Sequence, residues 1–348
     1  MGALPPTAGS GTFAHLPNSG GPLTRIRPSS GSLQPNADLR SLLLRCFPRC
    51  RIEACCELTG GVSARAVVVD LAALDGTAQR VVVRRPTRDT LEEARRAATH
   101  EYQLLLCCAE LEIPTPKAVA LDSEAAAVLL EYIAGAPEFA PSDASAMLAS
   151  MAAELARIHA LGPLPQLSFL ERCTDRAERN VSHAPQNLDL ALDEPQLRSV
   201  LRRRWPWPQY NADTLLHGDY WPGNLLWRDR KLIAVLDWEE AAIGDPLADL
   251  AIARLDILWA FGAPAMHEFT RLYREQTELD WRSLALWDLW AALRPMSNLA
   301  RWAPSYALPP IHRPDINELT MRDGHRYFVQ QALTSLDTAA TDLSSDPI

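Results

Sequence analysis

A short polar segment, followed by a hydrophobic run and a further acid, constrains this chain more than any other feature. Residues 216–224 are Leu-His-Gly-Asp-Tyr-Trp-Pro-Gly-Asn, and Asp237 comes directly after the run 232–236. Phosphoryl transfer needs a carboxylate beside the attacking hydroxyl and oxygen ligands that hold Mg²⁺ against phosphates. The pattern therefore predicts Asp219 beside a hydroxyl, with Asn224 and Asp237 as metal ligands.

This pattern resembles the aminoglycoside phosphotransferase and choline kinase family, which shares the protein-kinase fold. The family's catalytic loop is H-G-D-x-x-x-x-N, which this chain matches from His217 to Asn224. The family often continues D-W/F-E-x-A-x-x-G-D-P-x-x-D-L, which corresponds to residues 237–250. The resemblance covers roughly residues 50–300. It implies an α+β, two-lobed protein-kinase-like fold, with a small antiparallel β-sheet N-lobe and a mostly helical C-lobe.

Composition and pattern divide the chain into three parts. Residues 1–37 are rich in Pro, Gly and Ser and lack apolar periodicity, which predicts a disordered tail. A docking or scaffold role for this tail is the alternative to a solvated extension. Residues 38–132 are predicted to form the nucleotide-binding N-lobe. Residues 133–348 are predicted to form the C-lobe, with the catalytic loop, the metal site and the acceptor pocket.

Local patterns predict the elements within these lobes. Strands are predicted at 51–58, 66–71, 79–84, 119–121 and 127–132. Helices are predicted at 37–46, 91–110, 144–161, 246–261, 264–278, 282–300 and 315–338. Thr90 and Glu93 form a capping box at the start of the second of these helices. The Pro-rich stretch 163–210 is predicted to be irregular.

Arg84 ends the third predicted strand, where protein kinases place a lysine that contacts nucleotide phosphates and pairs with a helix glutamate. Arginine can bind phosphate through two parallel hydrogen bonds, so we expect the same role here. Glu101 lies on the apolar stripe of the next helix, and a buried carboxylate needs a partner. Arg84 is its predicted partner, although Arg84 or Arg85 as a solvated strand end is the alternative.

Two further segments are predicted to bind the nucleotide. Gly60 and Gly61 lie in a turn between the first two strands, where backbone N–H groups and the Ser63 hydroxyl could reach the phosphates. A plain hairpin would have the same pattern. Glu131 and Ile133 lie in the connector between the lobes, where the resemblance implies backbone hydrogen bonds to adenine.

Each residue of the catalytic segment also has a simpler interpretation. Asp219, Asn224 and Asp237 could cap turns, because Asp and Asn side chains commonly do so. His217 is predicted to brace the loop through hydrogen bonds rather than to transfer protons. Asp249 is predicted either to hydrogen-bond the catalytic loop from a buried helix or to be solvated.

Charge and hydropathy argue against some partners. The net charge of −9 disfavours nucleic acid, which requires a basic surface. No apolar run approaches the ~20 residues of a membrane-spanning helix, so no membrane partner is expected. The start of the chain lacks the pattern of a secretory signal, and we expect a cytoplasmic protein.

The resemblance implies an ATP- and Mg²⁺-dependent kinase that transfers the γ-phosphoryl group to a hydroxyl of a small molecule, with GTP as a possible donor. The acceptor is left open between an antibiotic and a metabolite alcohol or sugar. Residues 237–241 resemble the macrolide kinase branch, and aromatic Trp221 and Trp238 suit a bulky acceptor. A non-catalytic nucleotide-binding module and a protein kinase are the alternatives. The oligomeric state is not predicted.

Overall fold

The computed structural model describes residues 35–58, 64–162 and 164–344, with side chains through residue 338. An antiparallel sheet is followed by a mostly helical body, which confirms the predicted α+β class. Within these residues, no helix combines the length and apolarity that crossing a bilayer requires. Residues 1–34 of the predicted tail and the predicted phosphate-binding residues Gly60, Gly61 and Ser63 lie outside the described residues.

Five antiparallel strands form the first sheet, in the order β1-β2-β3-β5-β4. They are β1 (Cys50–Leu58), β2 (Ala64–Ala73), β3 (Ala78–Pro86), β4 (Ala118–Asp122) and β5 (Ala127–Glu131). Register pairs Val82 of β3 with Leu130 of β5 and Arg84 with Val128. Because strand side chains alternate between faces, Val82 and Arg84 share one face of the sheet. Val81 lies on the other face and is buried in a small apolar core.

Two helices accompany this sheet. Helix α1 (Ala37–Cys46) begins at the cap Asn36 and contributes to the small apolar core. Helix α2 (Leu91–Glu110) begins with the predicted capping box of Thr90 and Glu93. It packs against β3, β4 and β5 and buries the carboxylate of Glu101. The capping box fixes where α2 begins, and the apolar stripe of the helix places Glu101 on its buried side.

The remainder of the chain is mostly helical. Its helices are α3 (Ala144–His159), α4 (Cys173–Ser182), α5 (Glu194–Arg204), α6 (Pro246–Phe261), α7 (Ala263–Arg274), α8 (Leu284–Ala291), α9 (Leu299–Tyr306) and α10 (Glu318–Ser344). Its short strands are β6 (Glu171–Arg172), β7 (Thr214–Leu216), β8 (Leu225–Arg228), β9 (Lys231–Val235) and β10 (Ala242–Gly244). Helix α6 is buried on almost every side, as expected for a helix at the centre of a large core.

Two predictions about this part of the chain are wrong. The stretch 163–210 is not irregular, because it contains α4 and α5. Each of these helices has only about ten residues, and packing of a few apolar side chains rather than a long periodic pattern stabilises it. The predicted single helix 282–300 is two helices, α8 and α9. Pro295 lies between them and has no N–H to continue a helical ladder.

Candidate active site

Residues 217–224, which match the family's catalytic loop and which we call the catalytic segment, join β7 to β8. The buried carboxylate of Asp249 on α6 anchors this segment. Asp249 accepts hydrogen bonds from the backbone N–H groups of His217 at 2.7 Å and Gly218 at 2.8 Å. This contact confirms the first of the two interpretations of Asp249. Gly218 has a positive φ of 80°, and a Cβ there would lie 2.0 Å from the carbonyl oxygen of Glu240. Only glycine fits this turn.

His217 links the catalytic segment to the end of β9. Its Nε2 donates to the carbonyl oxygen of Leu236 at 2.8 Å, and its Nδ1 accepts from the backbone N–H of Asp219 at 3.2 Å. Burial lowers the pKa of His217, so the ring is neutral and carries its proton on Nε2. These two bonds fix the Asp219 backbone relative to the residue before Asp237.

The side chain of Asp219 makes contacts on both of its oxygens. Oδ2 accepts a hydrogen bond from Asn224 Nδ2 at 2.9 Å, and Nδ2 also donates to the Asp219 carbonyl oxygen at 3.0 Å. Oδ1 accepts from Nη2 of Arg294 in an ion pair. Among the described residues, no donor is paired with Oδ1 of Asn224. The amide oxygen of Asn224 is therefore free to act as a ligand.

Arg84 is surrounded by three carboxylates, and we call this group the Arg84 cluster. Nη1 donates to Glu101 at 2.6 Å, and Nη2 donates to Asp237 at 2.6 Å and to Glu239 at 3.1 Å. The predicted pair of Arg84 and Glu101 is thus present, and Arg84 is not a solvated strand end. Glu239 belongs to the motif but was assigned no role from the sequence.

Asp237 adopts an unusual backbone conformation at this cluster. Its φ of 61° and ψ of 67° lie in the left-handed region, which costs free energy for a residue other than glycine. The pKa of its carboxyl is raised to about 6, mainly by burial, with Arg84 opposing the shift and the negative charges of Glu239 and Asp219 adding to it. A site of this charge favours a bound cation beside Asp237.

A second arginine forms a smaller group, the Arg294 cluster of Arg294, Asp219 and Asp256. Arg294 lies between α8 and α9, and its Nη1 donates to Asp256 on α6 at 3.0 Å. The side chains of Arg294 and Asp219 are each 25% exposed. Burial raises the pKa of Asp256 to about 6, with Arg294 opposing and Asp219 adding to the shift. No motif of the sequence singled out Arg294 or Asp256.

Aromatic side chains form a wall next to Asp219, and we define it by Phe139, Trp221, Phe261 and Tyr306. The ring centroid of Phe139 lies 6.0 Å from Trp221, 6.2 Å from Tyr306 and 6.3 Å from Phe261. A Cβ at Gly223 would lie 2.3 Å from the Trp221 ring, so glycine provides room for the indole. Trp221 and Phe261 are only partly buried. Trp221 thus packs with aromatic residues that lie far away in sequence, whereas Trp238 is buried against His217.

The connector follows β5. The N–H of Glu131 donates to the carbonyl oxygen of Lys117 at 2.9 Å, and β3 pairs with β5 at Val81 and Glu131. The guanidinium of Arg80 lies 5.2 Å from the ring of Tyr132. Ile133 comes next, and the described part of the chain offers its backbone groups no hydrogen-bond partner. The backbone of Ile133 is thus available for a ligand, whereas the N–H of Glu131 is not.

A cavity of about 670 Å³ lies on the α2 side of the Arg84 cluster. Its walls come from residues 84–104, 169–176 and 238–241, and they include Arg84, Glu101 and Glu239. Asp219 and Asn224 do not line this cavity. The cavity therefore borders the Arg84 cluster and is separate from Asp219 and Asn224.

Comparison with known proteins identifies the family of this chain. The protein-family model described as "Phosphotransferase enzyme family" matches residues 54–295 of the chain. Among curated proteins, acyl-CoA dehydrogenase family member 10 of Mus musculus is 27% identical over 218 residues, which are 57% of this chain and 20% of that protein. The chain therefore spans only about a fifth of the length of this relative.

Solved structures share the fold. Macrolide 2'-phosphotransferase type I has a TM-score of 0.54 and 18% identity, covering 82% of this chain and 97% of that one. APH(2")-IIa in a ternary complex with streptomycin and ATP has a TM-score of 0.53 and 16% identity, covering 75% of this chain and 90% of that one. These similarities confirm the protein-kinase-like fold that the motifs predicted.

Proposed function

Since the chain belongs to the phosphotransferase enzyme family, we propose that it transfers the γ-phosphoryl group of ATP to a hydroxyl group of a small molecule. One observation carries this proposal. Asp219 and Asn224 are hydrogen-bonded to each other, while Asp237 is held by an arginine from the sheet of the first lobe. His217 supports the proposal as well, because it links the backbone of Asp219 to the residue before Asp237.

The donor atoms fit a Mg²⁺ ion. Asn224 has a free amide oxygen, and only Oδ1 of Asp237 is committed to Arg84 among the contacts of the described residues. Both are the hard oxygen ligands that Mg²⁺ prefers. When bound, the metal would neutralise charge on the transferred phosphoryl group. If Asp237 turned from Arg84 to the metal, Arg84 would still contact Glu101 and Glu239. These two carboxylates would hold it beside the phosphates.

Asp219 has two tasks in this proposal. It accepts a hydrogen bond from the acceptor hydroxyl and orients that oxygen toward the γ-phosphorus. It takes up the proton as the new bond to phosphorus forms, while the bond from the γ-phosphorus to the bridging oxygen breaks and that oxygen leaves with ADP. Its backbone is fixed by His217, and its Oδ2 is fixed by Asn224. Oδ1, which contacts Arg294, has a second lone pair for the hydroxyl.

The test is a screen for acceptor-dependent ADP release with Mg²⁺ and ATP, using alcohols, sugars, amino alcohols, hydroxy acids and antibiotics. We expect at least one acceptor to stimulate ADP release, and phosphorus NMR to detect a phosphate ester. Asp219→Asn should lower kcat by about 10²- to 10⁴-fold, because it removes the proton acceptor and keeps the shape. Its KM for ATP should stay within about threefold.

Asp229→Asn is the matched control, because Asp229 lies in the exposed β8–β9 turn. It should leave both constants unchanged. ADP release that never depends on an acceptor, with tight nucleotide binding, would contradict the proposal and favour the non-catalytic nucleotide-binding module. Phosphate transfer to peptides alone would favour the protein kinase. The same assay with GTP tests the donor.

The acceptor class, the absence of membrane and nucleic-acid partners, and the cytoplasmic location stay predictions. The antibiotic names of the structural neighbours describe those proteins, and their likeness to this chain concerns the fold. We include their substrates in the screen for that reason only.

A further inference from the structure

Arg294 occupies a position that the proposed reaction does not explain. Its guanidinium contacts Oδ1 of Asp219, the oxygen that must receive the acceptor hydroxyl. It also contacts Asp256, and a quarter of its side chain stays exposed. A cation therefore stands at the place where the reacting end of the acceptor must arrive.

We propose that Arg294 binds an anionic group of the acceptor, so that the enzyme selects small hydroxylated molecules that carry a carboxylate or a phosphate near the reacting hydroxyl. This inference rests on the proposed function and specifies its acceptor. It assigns Arg294 as a specificity-determining residue and Asp256 as the residue that holds Arg294 in place.

The proposed reaction removes a negative charge beside Arg294. Asp219 loses its charge as it takes up the proton of the hydroxyl, so Nη2 of Arg294 loses its anionic partner. Asp256 remains as the only carboxylate that Arg294 contacts among the described residues. Leaving donors of a largely buried guanidinium unpaired is costly. An anion on the acceptor replaces the lost contact, and a planar carboxylate or a phosphate matches the arginine fork.

Both carboxylates of the Arg294 cluster already have a cationic partner. A polycationic acceptor would need unpaired carboxylates around Asp219. Here the guanidinium of Arg294 pairs with Asp219 and with Asp256, so the three groups carry a net charge of −1 and neither carboxylate is left unpaired for an ammonium group. A cationic group beside the hydroxyl would also be repelled by Arg294 at close range.

The positions of Arg294 and the aromatic wall relative to Asp219 limit the shape of the acceptor. Arg294 and the acceptor hydroxyl would contact the same carboxylate, so the anion must lie within a few bonds of the hydroxyl. The aromatic wall begins at Trp221, two residues after Asp219, and Trp221 lies 6.1 Å from Tyr306. Partly buried aromatic rings accommodate an apolar body. The acceptor is therefore an anionic alcohol with an apolar portion.

The test uses acceptors that share an eight-carbon chain with a hydroxyl on C3 and differ in the group on C1, namely 3-hydroxyoctanoate, octane-1,3-diol and 1-aminooctan-3-ol, together with 3-hydroxyoctyl phosphate. Hydroxy acids with the hydroxyl further along the chain vary its distance from the carboxylate. We expect kcat/KM for the better of the two anionic acceptors to exceed that of the diol by about tenfold to a hundredfold, because charged hydrogen bonds have this strength. The aminoalcohol should be the poorest acceptor. The carboxylate and phosphate members show which anion Arg294 prefers.

Variants separate recognition from a merely structural role. Arg294→Gln should raise the KM for the anionic acceptor by about tenfold to a hundredfold and abolish the preference over the diol. Arg294→Lys should keep part of that preference, because it retains the charge without the fork. Arg301→Met is the matched control, since Arg301 on α9 is exposed and contacts only Asn298 among the described residues. It should change neither KM nor preference.

Three results would overturn the inference while leaving the proposed function intact. They are equal use of the diol and the hydroxy acid by the unchanged protein, an equal fall in kcat for every acceptor in Arg294→Gln, and a rise in the KM for ATP alone. The last would place Arg294 on the nucleotide. Failure of the proposed function is different, because no acceptor of any charge would then be phosphorylated.

Discussion

The Arg84 and Arg294 clusters use the same chemistry, an arginine between carboxylates, but they are built differently. Arg84 lies on a strand whose register is fixed on both sides, and its side chain is 11% exposed. Arg294 lies between two short helices, and its side chain is 25% exposed. Arg84 contacts three carboxylates, and Arg294 contacts two. The strand-held arginine can lose one partner and stay in place, whereas the loop-held arginine can exchange a partner for a ligand.

The largest effect on stability should come from Arg84→Met. It leaves the Glu101 side chain, which is 6% exposed, without its partner. Removing one member of a buried ion pair costs about 3–5 kcal/mol of unfolding free energy. Urea denaturation at neutral pH measures this loss.

Arg84→Lys is the control for this change, because it keeps the charge but cannot form the forked contacts. It should lose clearly less stability than Arg84→Met. A loss below about 1 kcal/mol for Arg84→Met would mean that Glu101 protonates at little cost. The two clusters would then not differ in the way described.

Asp256→Asn should have the next largest effect, and its sign is opposite. Burial raises the pKa of Asp256 from 3.8 to about 6, so the folded protein binds more protons than the unfolded chain between these values. The contribution of this group to stability is therefore present below pH ~4 and lost as the pH rises through ~6. Asparagine does not titrate. The free energy of unfolding of the variant at pH 7 should therefore exceed that of the unchanged protein by about 2–3 kcal/mol.

Denaturation at pH 4 and pH 7 measures this difference, which should nearly vanish at the lower value. Asp323→Asn is the matched control, because Asp323 is exposed on α10 and pairs with Arg326. Its effect should be small at both pH values. A variant of Asp256 that is less stable at pH 7 would show that the carboxylate stabilises the Arg294 cluster.

The smallest effect on stability should come from Arg294→Gln, at about 1–2 kcal/mol. Water reaches the exposed quarter of Asp219 and replaces the arginine there, while Asp256 takes up a proton. Thermal denaturation beside Arg84→Met measures the contrast directly. Equal losses for the two variants would remove the distinction between a structural and an exchangeable arginine.

Short sequence patterns predicted the Arg84–Glu101 pair of the Arg84 cluster but no contact of the Arg294 cluster. Arg84 ends a valine-rich strand, Glu101 follows a capping box at helical spacing, and Asp237 ends a hydrophobic run. Each position follows from a short pattern, and the resemblance brought the patterns together. Arg294 contacts Asp219, which is 75 positions away, and Asp256, which is 38 positions away. No periodicity encodes such contacts, because they depend on how α6 packs against the segment after α8.

The same limit explains the missed helices. Helices α4 and α5 carry few apolar residues, and their burial depends on partners elsewhere in the core. The residues that the sequence singled out each belong to a short local pattern. Those that it did not single out, Arg294, Asp256, Phe139 and Tyr306, come from separate parts of the chain and meet only through tertiary packing.

The alternation of β3 restricts where this chain can accept an inserted residue. Arg84 and Arg85 are neighbours on opposite faces, and the strand's pairing with β2 and β5 fixes which of them reaches α2. One extra residue before Arg84 would exchange their parity and send the wrong guanidinium inward. We expect a change of length in the β2–β3 hairpin turn to leave these faces unchanged, whereas a change within β3 preserves them only if it adds or removes an even number of residues.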